Sequence, residues 1–234
     1  MSTLLEVKEI HTFIGQFHIL EGVSLEVQEG SVSVLLGRNG AGKTTTLRSI
    51  MGLSKPQRGQ ITFHGKDLVG APAYEIAQLG IGFVPEHRAI FNHLSVEENL
   101  LIAEQKPGQL DARQKFIFSL FPDLERLLFW PGGKLSGGQQ QMLAIARALV
   151  PDNHLLLIDE PSEGLAPVII QQLMKAIQQL SVTTTVLLVE QNFRMASQLA
   201  KYYTIIENGQ SVNHGLMENL VNDPDLIQRY LAAA

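Results

Sequence analysis

No cysteine occurs among the 234 residues. That excludes disulfides and thiolate-held metals, and it fits a reducing compartment. Long apolar runs are missing as well. The clearest, 155–158 and 186–189, are only the length of a buried strand, far short of the roughly 20 residues that cross a bilayer. The opening Met1-Ser2-Thr3-Leu4-Leu5-Glu6 has neither the basic start nor the apolar stretch of a signal peptide. If such a chain works at a membrane, another protein is expected to bring it there. A basic excess is also absent. Lys and Arg number 18 against 23 Asp and Glu, for a net charge of −5. A general nucleic-acid binder is therefore not expected, because phosphate backbones reward clustered Lys and Arg. Internal repeats, low-complexity segments and long heptad runs are lacking too.

What remains is globular. Hydrophobic residues make up 45% and charged residues 18%, enough apolar material for a sizeable core. The length suits one α/β unit with a small lobe. Residues 5–10 and 25–27 alternate like a half-buried sheet, and 32–36 is an apolar run ending in glycine, as buried parallel strands do. A helix is expected near 44–51 and strands at 59–63 and 80–84. Ser95-Val96-Glu97-Glu98 is a capping box that should open a helix to about Glu104, before Lys106-Pro107-Gly108 breaks it. Helical pieces follow at 112–120, 123–129 and 139–149, then a strand at 155–158, a helix at 168–180 and a strand at 184–189. The pattern closes with a helix at 193–200, a strand at 203–207 and helices at 216–220 and 225–232. Strand and helix alternate in the outer thirds, whereas the middle is mostly helical. This predicts a single domain over 1–234, with a parallel-sheet core from 1–85 and 151–234 and an inserted helical lobe at 86–150.

Three motifs carry chemistry. Gly37-Arg38-Asn39-Gly40-Ala41-Gly42-Lys43-Thr44 follows G-x-x-x-x-G-K-[ST], a phosphate-binding loop set between a buried strand and a helix. Its glycines let backbone N–H groups turn toward phosphate oxygens, and the next helix begins there with its positive dipole end. Lys43 should pair with the β- and γ-phosphates, and the Thr44 hydroxyl should sit on Mg²⁺. Thr45 is grouped with this loop as nucleotide-binding. Next, Leu155-Leu156-Leu157-Ile158 ends in Asp159 and Glu160, two carboxylates at the sheet edge where α/β folds bind ligands. Asp159 would hold Mg²⁺ through water, and Glu160 would orient or deprotonate an attacking water. Finally, Leu135-Ser136-Gly137-Gly138-Gln139 joins an N-cap serine to glycines with open N–H groups, a second anion site at a helix start. Met142, Ile145, Ala146 and Leu149 recur beyond it at helical spacing and read as core.

Together these motifs resemble the ABC ATPase family, whose signature is L-S-G-G-Q, over essentially the whole chain. The resemblance implies a P-loop NTPase (RecA-like) α/β fold with a mixed, largely parallel sheet, N-terminal antiparallel strands and an inserted helical subdomain. It implies ATP and Mg²⁺ as cofactors. It also implies that two nucleotide domains close head-to-tail over two ATPs, residues 135–139 of one touching the γ-phosphate held by the other.

Several positions depart from the family's usual pattern. Where an aromatic residue normally stacks on adenine, this chain has Ile14 before Gly15, with Phe13 and Phe17 nearby; these residues either serve the base or simply pack. Glu86 stands in Val84-Pro85-Glu86 where the family has a glutamine that reaches toward metal and water. A carboxylate there binds metal but repels the γ-phosphate. Ala166 replaces an aspartate, and Gln191 replaces a histidine. Glutamine donates a hydrogen bond but does not titrate near neutral pH. V-P-E, P-S-x-G-L-A-P and V-E-Q-N together are similar to an ATPase subunit of the branched-chain (hydrophobic) amino acid uptake family. That narrower resemblance implies a peripheral place on the cytoplasmic face of the cell membrane. It also implies a second ATPase subunit, a different chain in preference to a copy, with integral membrane permease subunits and, indirectly, a solute-binding protein. Ile90, Phe91 and Leu94 would then supply an apolar permease contact, or else ordinary packing. The related urea importers share the pattern. Two further readings stand beside transport: a non-transport ABC protein, and a nucleotide-binding partner with little catalysis of its own.

Overall fold

The computed structural model describes residues 2–231. The chain opens with a hairpin of β1 (Thr3–Ile14) and β2 (Phe17–Gln28), which turns through left-handed Gly15. The buried β3 (Val32–Leu36) then leads through 37–42 into α1 (Lys43–Ile50). Next come β4 (Arg58–Phe63), the two-residue β5 (Lys66–Asp67), α2 (Ala73–Gln78) and β6 (Ile81–Val84). The helical stretch holds α3 (Val96–Leu101), α4 (Gln109–Leu120), α5 (Pro122–Arg126) and α6 (Gly137–Ala148). Strand and helix then alternate: β7 (Leu155–Asp159), α7 (Pro167–Leu180), β8 (Thr185–Val189), α8 (Phe193–Leu199) and β9 (Tyr202–Glu207). β10 (Gln210–Leu216), α9 (Met217–Val221) and α10 (Pro224–Tyr230) follow.

These strands make two sheets. One is antiparallel, in the order β2-β1-β4-β5. The other runs β10-β9-β3-β8-β7-β6, parallel throughout except for β10, which turns back against β9. The mixed, largely parallel sheet with N-terminal antiparallel strands is the fold class expected from the motifs. All five residues of β3, β7 and β8 are buried, as strands covered on both faces must be. Because side chains alternate across a strand, the same strands feed two cores. Leu35, Leu155, Leu157 and Leu187 face α1 and the antiparallel sheet. Val34, Leu36, Leu156, Ile158 and Leu188 face α6 and α7.

The boundaries differ from the sequence expectations where tertiary contacts intervene. The capping box at Ser95 is present, its hydroxyl accepting from Glu98 N while Glu98 accepts from Ser95 N. The helix nonetheless ends at Leu101, and the Glu104 carboxylate instead accepts from Leu110 N at 2.7 Å, in the first turn of α4. The helix expected over 123–129 stops at Arg126. The next residues rise to meet α3, with Val96 N donating to Trp130 O and Glu97 N to Leu128 O. α2, β5 and β10 have no counterpart in the sequence expectations. The last predicted helix, 225–232, appears as α10; its end at Ala232 lies outside the described residues.

Candidate functional site

In the loop between β3 and α1 two of the three glycines stand where the surroundings leave no room for a side chain. A Cβ on Gly37 would sit 2.3 Å from Ile206 O, and one on Gly42 would sit 2.7 Å from Leu20 Cδ2. Both residues, with Gly40, also adopt left-handed φ, which glycine enters without steric penalty. The β9–β10 hairpin closes the loop from behind, with Gly209 N donating to Ala41 O at 2.9 Å. Gly42 caps α1 without a side-chain hydrogen bond, and no acidic residue occupies the first turn. The first N–H groups of this helix therefore have no side-chain cap of their own, at the end of the dipole that favours an anion. Arg38 turns away and donates to Arg229 O at 3.4 Å. Asn39 and Gly40 form the exposed rim, and Thr45 is buried in the first turn of α1.

Lys43 is 4% exposed. Its ammonium donates to Gly37 O at 3.0 Å and Arg38 O at 3.1 Å, and pairs with Glu160 Oε1 at 3.1 Å. Gln191 Nε2 donates to the other Glu160 oxygen. Glu160 itself has φ 43, a left-handed backbone at the end of β7 that is uncommon outside glycine and clusters at functional sites. One residue earlier, Asp159 Oδ1 accepts from Thr44 Oγ1 at 3.2 Å, while Asp159 Oδ2 is buried without a partner. Burial, with the nearby Glu160 and Glu86 charges, pushes the Asp159 carboxyl up to about 6, against the Thr44 hydrogen bond and Lys43. The parallel order β3-β8-β7 places the ends of these strands side by side, so positions 43, 160 and 191 meet although they lie far apart in sequence.

Glu86, on the segment after β6, shares a hydrogen bond with Glu163; that bond, ahead of burial and the Glu86 and Glu160 charges, raises the Glu163 carboxyl. Among the described residues no group of three or more His, Cys, Asp or Glu side chains forms a metal cage. Asp159 and Thr44 nevertheless suit Mg²⁺, which ordinarily takes one or two protein ligands and completes its shell with waters and phosphates. The unpartnered Asp159 Oδ2 is the atom such an ion would satisfy.

Ser136 forms a reciprocal cap on α6: its hydroxyl accepts from Gln139 N at 3.3 Å, and Gln139 Oε1 accepts from Ser136 N at 2.9 Å. Gly138 packs on Ile169, where a Cβ would come within 2.7 Å of Cγ2. Leu135 is buried in the core, as are Met142, Ile145, Ala146 and Leu149. On β1, the Phe13 ring lies flat on His18, centroids 4.1 Å apart. Ile14 is half exposed, and Phe17 is 66% exposed at the start of β2. Ile90 packs against the core beside Gly132, and Leu94 is half buried. This leaves Phe91, beneath the Arg147 guanidinium at 4.8 Å, as the exposed apolar residue of that trio. Beside it a groove of about 290 Å³ runs between β6 and α6, lined by Phe83, Pro85, Arg88, Ala89, Ala144 and Arg147 among others.

Sequence reasoning passed over Glu190. It is 1% exposed, and its carboxylate accepts from Ser162 N and Oγ at 3.1 and 3.0 Å and from Gln191 N and Asn192 N at 3.1 Å each. Burial raises its pKa against these four hydrogen bonds. One carboxylate thus fixes both the 162–165 turn and the residue that holds Glu160. The available signal was a glutamate directly after a buried strand.

A model of the ABC transporter family matches residues 20–163. The chain is 41% identical over 231 residues to the high-affinity branched-chain amino acid transport ATP-binding protein BraG of Pseudomonas aeruginosa, covering 97% of this chain and 99% of BraG. It is 31% identical over 236 residues to the lipopolysaccharide export system ATP-binding protein LptB of Acidithiobacillus ferridurans, covering 99% and 98%. Among solved structures, the ADP conformation of MJ1267, an ATP-binding cassette of an ABC transporter, matches with a TM-score of 0.87 at 25% identity, over 97% of this chain and 98% of that one. With its phosphate loop, paired carboxylates and capped signature helix in this arrangement, the chain belongs to the ABC transporter family and is one of its ATP-binding cassettes.

Proposed function

We propose that this chain is the ATP-hydrolysing subunit of an importer of branched-chain or other hydrophobic amino acids. It works at the cytoplasmic face of the membrane beneath a separate permease, paired with a second ATPase subunit. The observation that carries the reading is the meeting of Lys43, Thr44, Asp159, Glu160 and Gln191 at the ends of three adjacent strands. The cargo class rests on the likeness to BraG. The groove beside Phe91 and Arg147 is the surface where the permease docks.

In this reading Lys43 exchanges Glu160 for the γ-phosphate. Glu160, still held through its other oxygen by the Gln191 amide, is then released to accept a proton from the attacking water. Asp159 and Thr44 would hold Mg²⁺, with Glu86 within reach; the ion, when bound, neutralises charge on the β- and γ-phosphate oxygens. Gly137, Gly138 and the Ser136 cap offer the opposite face to ATP held by the paired subunit. On the adenine side, Phe17, Ile14 and the Phe13–His18 stack are the available apolar surface.

A second reading has its own support. Glu86, Ala166 and Gln191 replace residues the family commonly uses, which favours a binding partner with slow turnover of its own. Mg-ATP hydrolysis at rising protein concentration, beside Glu160→Gln, tests both. A rate per molecule that climbs with concentration and vanishes in the variant supports the catalytic reading. A rate at background even with the paired subunit and permease present overturns it in favour of the second.

A further inference from the structure

The outer face of the first hairpin brings two imidazoles together. Thr12 and Leu20 pair across β1 and β2 and are both buried, Thr12 Oγ1 meeting Ser49 Oγ of α1 at 3.0 Å. Because side chains alternate along a strand, His11 emerges on the other face. There its Nδ1 stands 3.2 Å from His18 Nε2, with ring centroids 5.3 Å apart and planes tilted by 30°. Two ligands held at about 2.0–2.1 Å from one tetrahedral ion lie about 3.3–3.4 Å apart. The two nitrogens are therefore already spaced as a ligand pair.

The neighbours suit that use. The Phe13 ring lies 4° from parallel to His18 and fixes its plane. Gly22 leaves space beside His11: where its Cβ would stand, Glu9 Oε2 is 3.1 Å away and His11 Nε2 is 3.8 Å away. A carboxylate thus stands on the Nε2 side of His11, and metal-bound histidines are ordinarily oriented through their second nitrogen in this way. A proton on Nε2 leaves the Nδ1 lone pair facing His18. Glu21 is the register partner of His11 on β2 and Arg58 its partner on β4, so two carboxylates and one guanidinium surround the pair.

We propose that His11 Nδ1 and His18 Nε2 bind a zinc-class divalent ion, which clips β1 to β2 on the outer face of the hairpin. Among the described residues no third imidazole or carboxylate completes a cage, so water takes the remaining positions. Imidazole nitrogens suit zinc, copper and nickel, whereas Mg²⁺ takes oxygen ligands; the site is chemically separate from Thr44 and Asp159. Residues 19–21 follow directly on His18 and back the phosphate loop, with Glu21 N donating to Gly209 O at 2.7 Å. A bound ion therefore stiffens the strand that closes that loop.

Titration calorimetry of Zn²⁺ into the full chain tests this, with no polyhistidine tag and with excess Mg²⁺ to occupy oxygen sites. The wild type should bind one ion that His11→Gln and His18→Gln each lose. The loss should exceed the roughly 10- to 100-fold that an outer partner of a metal ligand is worth, and Glu9→Gln should fall within that range. His214→Gln, on β10, should bind as the wild type does. His18 is exposed and His11 half-buried, so the metal-free melting temperature of each variant should match the wild type; if one variant melts early, the other decides. The proposal is overturned if the wild type binds no Zn²⁺, or if a folded His11→Gln or His18→Gln variant binds as the wild type does. The pair would then be a plain hydrogen bond that shares one proton.

Discussion

A lysine buried to the extent of Lys43 needs polar partners, and here Glu160 and two carbonyls supply them. Lys43→Ala removes the cation that a phosphate would meet and leaves the Glu160 carboxylate with only Gln191. ATP affinity, read by titration calorimetry, should fall roughly 10- to 100-fold, as expected for a charged hydrogen bond. Asp159 offers the opposite trade. Its folded pKa of about 6 lies above the ordinary 3.8, so the folded chain binds this proton more tightly than the unfolded one. Stability from this group is therefore full below about pH 4 and is lost as pH rises through 6. Asp159→Asn should raise the metal-free melting temperature at pH 7, by roughly 1–2 kcal/mol of stability, and flatten its fall between pH 4 and 7. The same change should abolish Mg-dependent hydrolysis. A melting temperature unchanged or lowered at pH 7 would contradict the burial assigned to this carboxyl.

Among the elements, the loop before α3 depends on one side chain. Asn99 is fully buried; its amide donates to Phe91 O, Leu94 O and Ser95 O, and its Oδ1 accepts from Phe91 N. Asn99→Ala strands several backbone groups at once and should cost about 2–4 kcal/mol in urea unfolding. A loss below about 0.5 kcal/mol would mean water replaces the amide, the ordinary outcome at a surface site. How far the elements were legible follows the range of the interactions that make them. The phosphate loop, the Ser95 capping box, the Ser136 N-cap and the three buried strands are written within a few residues, and they stand where the sequence puts them. β10 was missed although Asn208-Gly209 is a strong local hairpin signal, and both residues take left-handed φ. Glu163 and Arg88 were not legible, because their partners sit on elements that only the strand order and the docking of α6 bring near, and the bond from Glu190 to Ser162 is set in the same way. For the same reason the sequence over-extended the helix at 123–129, whose end is set by pairing with α3.

For the molecule as a whole, the cassette carries little that distinguishes one cargo from another. BraG and LptB are both related over nearly the full length, and their names specify an amino acid importer and a lipopolysaccharide exporter. Cargo choice therefore belongs to the assembled transporter. Cells lacking the gene for this chain should lose uptake of radiolabelled leucine, isoleucine and valine while keeping urea uptake, and Lys43→Ala should fail to restore it. Loss of urea uptake alone would move the chain to the related importer. Architecture also constrains how the site comes into being. The loop that begins at Gly37 is closed by Ile206 and Gly209, and Glu160 waits on Gln191. A ribosome delivers residues in order, at roughly 5–20 per second, so the phosphate-loop sequence emerges long before the residues that shape it. The loop therefore takes its closed shape only after Ile206 and Gly209 have been synthesised.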